Sequence, residues 1–432
     1  WLETWSSLGS GSNHTPINGE LGSFYRPDGL LANSKLKWET TISRNFGIDF
    51  GFLNNRVNGS LEVYWNTTKD LLMAVPVDNT TGYSYQFQNF GKTSNRGIEL
   101  SVNVDVINKG DFRFNVGAIY NYNRNKLDEL PNADQYLYSS YWGSSSLVPT
   151  NDYMFVEGKA IGLVRGFISE GYYTVDDFNY TNGQYVLKEG VPDITKALTA
   201  TYMHPYDLPA GQTAFPGAAK FRDVDESGTV DLDDATCLGE VMPRHTGSFQ
   251  LNFNYKNFDL STNFNWTAGG KVYNVAAMIN ASGQEFDGIG AQRASWVADA
   301  FKVYNVNAAG DLYAVTNPDE LRALNANAKY HLPYHQSGIT SSEWLENGSY
   351  LRLQTLTLGY TLPKNWLTKV HVDKIRLYLT ATNLFTITGY SGIDPEVNAN
   401  PTGQSGFYSE NFPDAQHGLR NLPACTHIHF RC

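Results

Sequence analysis

At 432 residues the chain is too long for one ordinary soluble domain of about 100–200 residues, yet no Pro/Ser linker or charge run divides it. Charged residues are 17% and aromatic residues 14%, a balance that excludes intrinsic disorder; no stretch approaches the ~20 apolar residues of a membrane-spanning helix. A net charge of -11 has the wrong sign for a protein whose main partner is nucleic acid, and Cys237, Cys425 and Cys432 cannot frame the body with disulfides.

Alternation is the strongest signal along the chain. In the second half of Leu36–Phe52, Phe46, Ile48, Phe50 and Phe52 oppose Asn45, Gly47, Asp49 and Gly51. After Leu53–Arg56 the pattern resumes with Val57, Leu61, Val63 and Trp65 against Asn58, Ser60, Glu62 and Asn66. A period of two with opposed faces predicts half-buried strands, and the tight connection predicts a hairpin. The unit recurs in Arg96–Ile107 and Phe112–Asn123 around a turn at 108–111, and in Phe249–Tyr255 and Phe258–Trp266 around Lys256-Asn257. The last pair, Tyr350–Leu362 and Lys374–Thr388, is joined by PKNWLTKVHVD, which has room for one helical turn.

Short turns contrast with long connections at 69–94, 125–159, 174–244 and 268–347, rich in Tyr, Asn, Gly, Asp and Pro. Short turns at one end and long loops at the other predict an all-β, transmembrane antiparallel β-barrel. The segments reach or exceed the ~9–11 residues that a tilted strand needs to cross. Trp38, Trp65, Tyr120, Tyr122, Trp266, Tyr360 and Trp366 fall near strand ends, where interfacial girdles form. A soluble sandwich would have shorter strands, averaging ~5–6 residues, and propeller blades would repeat every ~40–50 residues. The hairpins keep no such period.

Five segments carry a family resemblance: Ser34–Leu72 (SKLKWETTISRNFGIDFGFLNNRVNGSLEVYWNTTKDLL), NFGKTSNRGIEL at 89–100, KFRDVDESGTVDLDD at 220–234, YLRLQTLTLGYTLP at 350–363 and IRLYLTATNLFTITGYSGIDPEV at 375–397. In order and spacing the chain resembles the barrel of SusC/RagA-type TonB-dependent receptors; Ser34 stands where the family usually has Pro. The resemblance implies a 22-stranded barrel filled by an N-terminal plug, of which residues 1–414 are the C-terminal half without plug or TonB box. Ten to twelve strands are expected by alternation. The missing half must be supplied, because an open edge in lipid leaves unpaired backbone groups.

The sharpest local motif runs from Asp223 to Asp234. Asp223, Asp225, Ser227, Asp231 and Asp234 place oxygens at positions 1, 3, 5, 9 and 12 of an EF-hand-like loop, Gly228 allows the bend, and the Thr229 carbonyl fills position 7. Such a loop wraps Ca²⁺ in a structural role; Asp at position 12 has a shorter reach than the usual Glu. The alternative is an acidic surface turn without metal. Tyr136, Tyr138, Tyr141 and Trp142 form the most aromatic loop; Tyr141 and Trp142 are the candidate ligand contacts, since aromatic rings offer flat faces to sugars or peptides.

After Phe412-Pro413-Asp414-Ala415 alternation stops and His417, Cys425, His427, His429 and Cys432 accumulate. The spacing suits no zinc site, and residues 415–432 read as a frame-shifted tail in place of the closing strand. No G-x-S-x-G elbow or P-loop occurs, and Pro333 separates His331 from His335, so no catalytic residue and no required cofactor are expected.

The resemblance implies TonB-dependent import of large nutrients, oligosaccharides or peptides, across the outer membrane of a Gram-negative, Bacteroidota-like cell. It also implies a SusD-like surface lipoprotein, the TonB complex acting through the plug, and outer-membrane lipid as partners, with no enzyme activity. The alternatives are a secreted Ca²⁺-dependent carbohydrate-binding β-protein and a glycoside hydrolase.

Overall fold

Alternation becomes a single meandering sheet. The computed structural model describes residues 5–7, 25–27, 30–83, 85–89, 91–130, 135–139, 148–198, 204–274, 277–278, 294–332, 339–368, 371–396 and 427–431. Eight long strands are β1 Thr40–Phe52, β2 Val57–Lys69, β3 Lys92–Lys109, β4 Phe112–Glu129, β5 His245–Tyr255, β6 Phe258–Ala268, β7 Tyr350–Thr361 and β8 Arg376–Thr388. A short β9, His427–Arg431, pairs along β8 from Thr382↔His427 to Tyr378↔Arg431. All neighbours in this sheet are antiparallel and follow chain order from β1 to β9. Of the tail, residues 415–426 and 432 lie outside the described residues.

Among the described residues this sheet holds nine strands, against the ten to twelve expected. Short extended pieces such as Leu163–Gly166 and Ser169–Tyr172 pair in small separate sheets. They lack the length to join the wall.

Four reversals share one end of the sheet, three of them tight. Leu53, Asn54 and Asn55 take left-handed φ of 54, 56 and 62°, and Gly110 (60°) and Lys256 (51°) do the same in the next two turns. The fourth reversal holds the expected helical turn, Lys364–Leu367. The other end carries every long connection.

Register puts the apolar residues of all eight long strands on one face. One row runs Phe50–Gly59–Val102–Ala118–Phe249–Phe264–Leu353–Phe385. Phe114 stacks on Phe253 (4.2 Å between ring centroids) and Phe249 on Phe264 (4.6 Å). Two glycines mark close approaches: a Cβ on Gly247 would stand 2.7 Å from the Trp266 ring, and one on Gly97 2.6 Å from the Tyr64 ring. Each aromatic side chain thus covers the bare backbone of the strand beside it. Phe46, Ile48 and Phe52 of this face are exposed, as are Trp65 and Leu358. Water would penalise so broad an apolar face; lipid does not. Opposite it runs a polar row, Gly47–Glu62–Glu99–Asn121–Thr246–Thr267.

Burial is therefore concentrated in the long connections. Phe167, Tyr173, Leu198, Phe215, Val315 and Leu321 are fully enclosed and draw 160–230 and 300–340 into one core. A second cluster gathers Tyr153, Val164, Tyr273, Trp296 and Trp344; Trp296 stacks on Tyr330 at 4.0 Å. The connections form a folded module over one rim of the sheet.

Ion pairs tie that module to the wall. Arg352 of β7, 6% exposed, pairs through Nη2 with Asp394 (2.5 Å) and through Nη1 with Glu396 (2.6 Å), while Nε donates to Thr386 Oγ1. Glu346 accepts from Asn274 Nδ2 (2.7 Å) and from the Ser391 amide (2.6 Å), joining the two ends of the 269–349 connection to the segment that follows β8. In the second cluster, His331 donates from Nδ1 to the Leu332 carbonyl at 2.9 Å, and its Nε2 lies 3.8 Å from Glu343. Burial lowers His331 to about 4 and raises Glu343 to about 7, so both are neutral over the acid range between those values.

Two outcomes follow from these groups. Arg352→Met leaves the part-buried Asp394 carboxylate unpaired and should lower the stability of the complete receptor in detergent by about 3–5 kcal/mol; adding Asp394→Asn should recover part of the loss, measured by thermal unfolding. The depressed His331 contributes stability that is present above its unfolded value of about 6.5 and is lost as pH falls toward 4; raised Glu343 has the opposite sign, losing its contribution as pH rises through about 7. The acid-side fall in melting temperature between pH 6.5 and 4 should be shallower in His331→Gln than in the parent.

Candidate functional site

The acidic loop folds around its own carboxylates. Asp234 is fully buried at the end of the Leu232–Asp234 turn that closes the loop; its Oδ1 accepts from the Val224 amide (2.5 Å) and the Asp225 amide (3.3 Å), and its Oδ2 from the Asp231 amide (2.8 Å). Asp223 Oδ2 accepts from Gly228 N at 2.7 Å and Asp225 Oδ1 from Ser227 N at 3.0 Å. Glu226 and Gly228, at φ 59 and 88°, supply the sharp bend. The Ser227 amide holds the Asp225 carboxyl below its usual range.

One carboxylate oxygen from each of Asp223, Asp225 and Asp234 lies within 4.8 Å of the others. These are three of the sequence-expected oxygen donors. Asp231 instead caps the following turn, accepting from Asp233 N at 2.8 Å, and the Thr229 carbonyl accepts from Ser227 Oγ at 3.0 Å. Thr229 and Val230 also pair, in parallel, with Asp193 and Ile194, which fixes the loop to the core of the module. The donor set is all oxygen, which suits a hard cation.

The aromatic loop divides. Gln135–Tyr138 pairs with Tyr153–Val156, and Tyr136 and Tyr138 set their rings 6.4 and 6.3 Å from Phe155, half-buried against Leu127 and Leu130. Tyr141 and Trp142 lie outside the described residues. On the polar face of the sheet, Glu62 accepts from Asn45 Nδ2 at 3.0 Å and Tyr64 donates to Asn123 Oδ1 at 3.0 Å. On the same face Thr41 Oγ1 lies 3.0 Å from Thr68 Oγ1, and Ser261 Oγ donates to Asn252 Oδ1 at 2.7 Å. The Arg352 cluster at the upper rim is absent from the sequence-derived candidates. Its available signal is that Arg352 is the lone charge in YLRLQTLTLGYT, with Asp394 and Glu396 two residues apart beyond the next strand.

With this geometry in view, comparison with known proteins is direct. The TonB dependent receptor-like, beta-barrel family model matches residues 6–384. TonB-dependent receptor P3 of Formosa agariphila is 30% identical over 368 residues, covering 85% of this chain and 32% of that protein. TonB-dependent receptor SusC of Bacteroides thetaiotaomicron is 27% identical over 400 residues, covering 90% and 32%. The structure of the RagAB peptide transporter shares the fold, with a TM-score of 0.63 at 22% identity over 91% of this chain and 36% of that one. The chain thus spans about a third of the length of the curated relatives it matches. The family is one of TonB-dependent receptors, not of enzymes. From the matched residues and the meandering wall together, the chain belongs to the β-barrel family of TonB-dependent receptors.

Proposed function

We propose that the chain supplies barrel wall, polar lumen surface and external module to a transporter that imports large nutrients across the outer membrane of a Bacteroidota-like cell. The observation that carries this reading is the two-sided sheet: an exposed apolar face suited to lipid backs directly onto a polar face suited to a hydrated path. Oligosaccharides are the favoured cargo. Peptides are the second reading, supported by the fold shared with a peptide transporter. A SusD-like surface lipoprotein would close over the long-loop end, and the TonB complex would act through a plug within the barrel. The wall itself performs no covalent chemistry; it binds, orients and gates.

The Asp223–Asp234 loop would hold Ca²⁺ through Asp223, Asp225 and Asp234, with Ser227, Thr229 and Asp231 completing the oxygen set. The ion would neutralise converging carboxylates and stiffen the loop beside the Asp193–Ile194 strand. It would be structural, remote from any reacting bond.

Disruption of the gene for the complete receptor in its host should abolish growth on one oligosaccharide class as sole carbon source while growth on glucose persists. Unchanged growth on every glycan and peptide source, or a complete receptor that is soluble and monomeric without detergent, would count against import. Chelation should lower the melting temperature of the receptor in detergent and added Ca²⁺ restore it, with about 2.7 kcal/mol gained at 100 times the dissociation constant. Asp223→Ala and Asp225→Ala should each abolish that response; a chelator-insensitive parent would remove the site.

A further inference from the structure

Most arginines of the described residues are engaged within the chain. Arg222, Arg244, Arg322, Arg352 and Arg376 each pair with a carboxylate, and Arg56 donates to the Asp105 and Val106 carbonyls. Arg44, Arg96 and Arg124 differ. All three are exposed, and among the described residues none of them has an ion pair or a side-chain hydrogen bond.

Register brings them together. Arg44 stands opposite Trp65, Trp65 opposite Arg96, and Arg96 opposite Arg124, in one row across β1 to β4. The row lies on the apolar face, directly beyond Phe46–Val63–Ile98–Tyr122 and toward the long connections. Neighbouring strands run ~4.8 Å apart, so Arg96 and Arg124 can reach one anion together, and the Arg44 backbone is only ~10 Å from that of Arg96.

Height fixes what the row faces. From Phe112 to Tyr122, β4 covers about 25 Å of barrel height at the ~3.3 Å rise and ~40° tilt usual for such strands, which is the height of an outward apolar band. Arg124 follows Tyr122 on the same face, so the row sits just above the hydrocarbon, level with lipid headgroups. Long connections mark the outer side of such a barrel, and the headgroups are those of the outer leaflet. Trp65, 45% exposed, supplies the aromatic anchor usual at that level.

Charge decides what covers it. Like charges directly opposite one another in a ladder repel and cost stability. Higher on β3 and β4 the cations are neutralised: Lys126 lies 3.3 Å from Asp128, and Lys92 2.9 Å from Glu129. Before β5, Glu240 is taken by Arg244 through both carboxylate oxygens. The arginine row keeps its positive charge, on a chain whose net charge is -11. Guanidinium forks match phosphate oxygens in paired hydrogen bonds.

We propose that Arg96 and Arg124, flanked by Arg44 and Trp65, form a site on the outside of the wall for the phosphate of an anionic outer-leaflet lipid, whose acyl chains lie along Phe46 and Ile98 below. The inference rests on the outer-membrane reading and adds a ligand that is not cargo.

The test measures binding of fluorescent phosphatidic acid, phosphatidylcholine and diacylglycerol to the complete receptor in dodecyl maltoside, with inorganic phosphate as competitor. Phosphatidic acid should bind at least about tenfold tighter than the other two, and more weakly as salt rises. Arg96→Gln with Arg124→Gln should weaken it about tenfold, and Arg96→Lys with Arg124→Lys should lose less. Arg113→Gln, at the short-turn end, should change nothing. The glutamine pair should melt no lower than the parent in this neutral detergent, because facing like charges are gone; a lower melting temperature would count against an unpartnered row. Equal binding of the three lipids, or parent-like binding by the glutamine pair, would overturn the proposal. Competition by inorganic phosphate in the same concentration range as the lipid would also overturn it, making the site one for a free anion. A receptor soluble and monomeric without detergent removes the membrane reading itself; a detergent-dependent receptor without arginine-dependent lipid binding removes this site alone.

Discussion

In hydrocarbon, a peptide amide without a partner has no water to fall back on, at a cost of several kcal/mol per group. That constraint governs this molecule. From β1 to β9 each strand answers its neighbour residue by residue, and where a bulge intervenes, between Asn263 and Phe264 or Leu353 and Thr355, pairing resumes at once. Regular pairing forces strict alternation, because a slip of one residue would carry a whole apolar set to the water side. The rows of Phe, Val and Leu on one face and of Asn, Thr and Glu on the other are the outcome.

The same constraint explains why packing is displaced from the sheet to its connections. A wall between lipid and water does not need a conventional core, so its large apolar residues stay exposed and Tyr64, Phe114 and Trp266 meet neighbours across strands. The long connections, bathed in water, do need one. Phe167, Tyr173, Phe215 and Leu321 bring together stretches far apart in the chain. Arg352, Asp394 and Glu396 join the two regimes at the rim, where partly excluded water lets charge pairing hold geometry.

Legibility in the sequence follows the range of the forces involved. The eight long strands, the reversals at 53–56, 108–111 and 256–257 and the helical turn after Pro363 are written in local alternation and turn chemistry, and all are found. So is the convergence of Asp223, Asp225 and Asp234, a matter of spacing within twelve positions. The core of the external module is not legible, because Tyr173 and Tyr185 lie in polar stretches without periodicity and are enclosed by residues beyond 300. The ion pairs of Arg352 depend on contacts across dozens of residues, and no period announces such partners.

The unequal ends of the sheet also bear on how such a protein can change. Glu129 and His245 border adjacent strands, so the whole of 130–244 leaves the wall and returns one position along; 269–349 does likewise between β6 and β7. Loop-closure entropy rises only logarithmically, about 0.6 kcal/mol for each doubling of length. An excursion anchored on neighbouring strands can therefore be lengthened, replaced or exchanged as a unit while the ladder beneath keeps its register. Wall and module are separable inheritances, one answering to the membrane and the other to whatever the cell meets outside it.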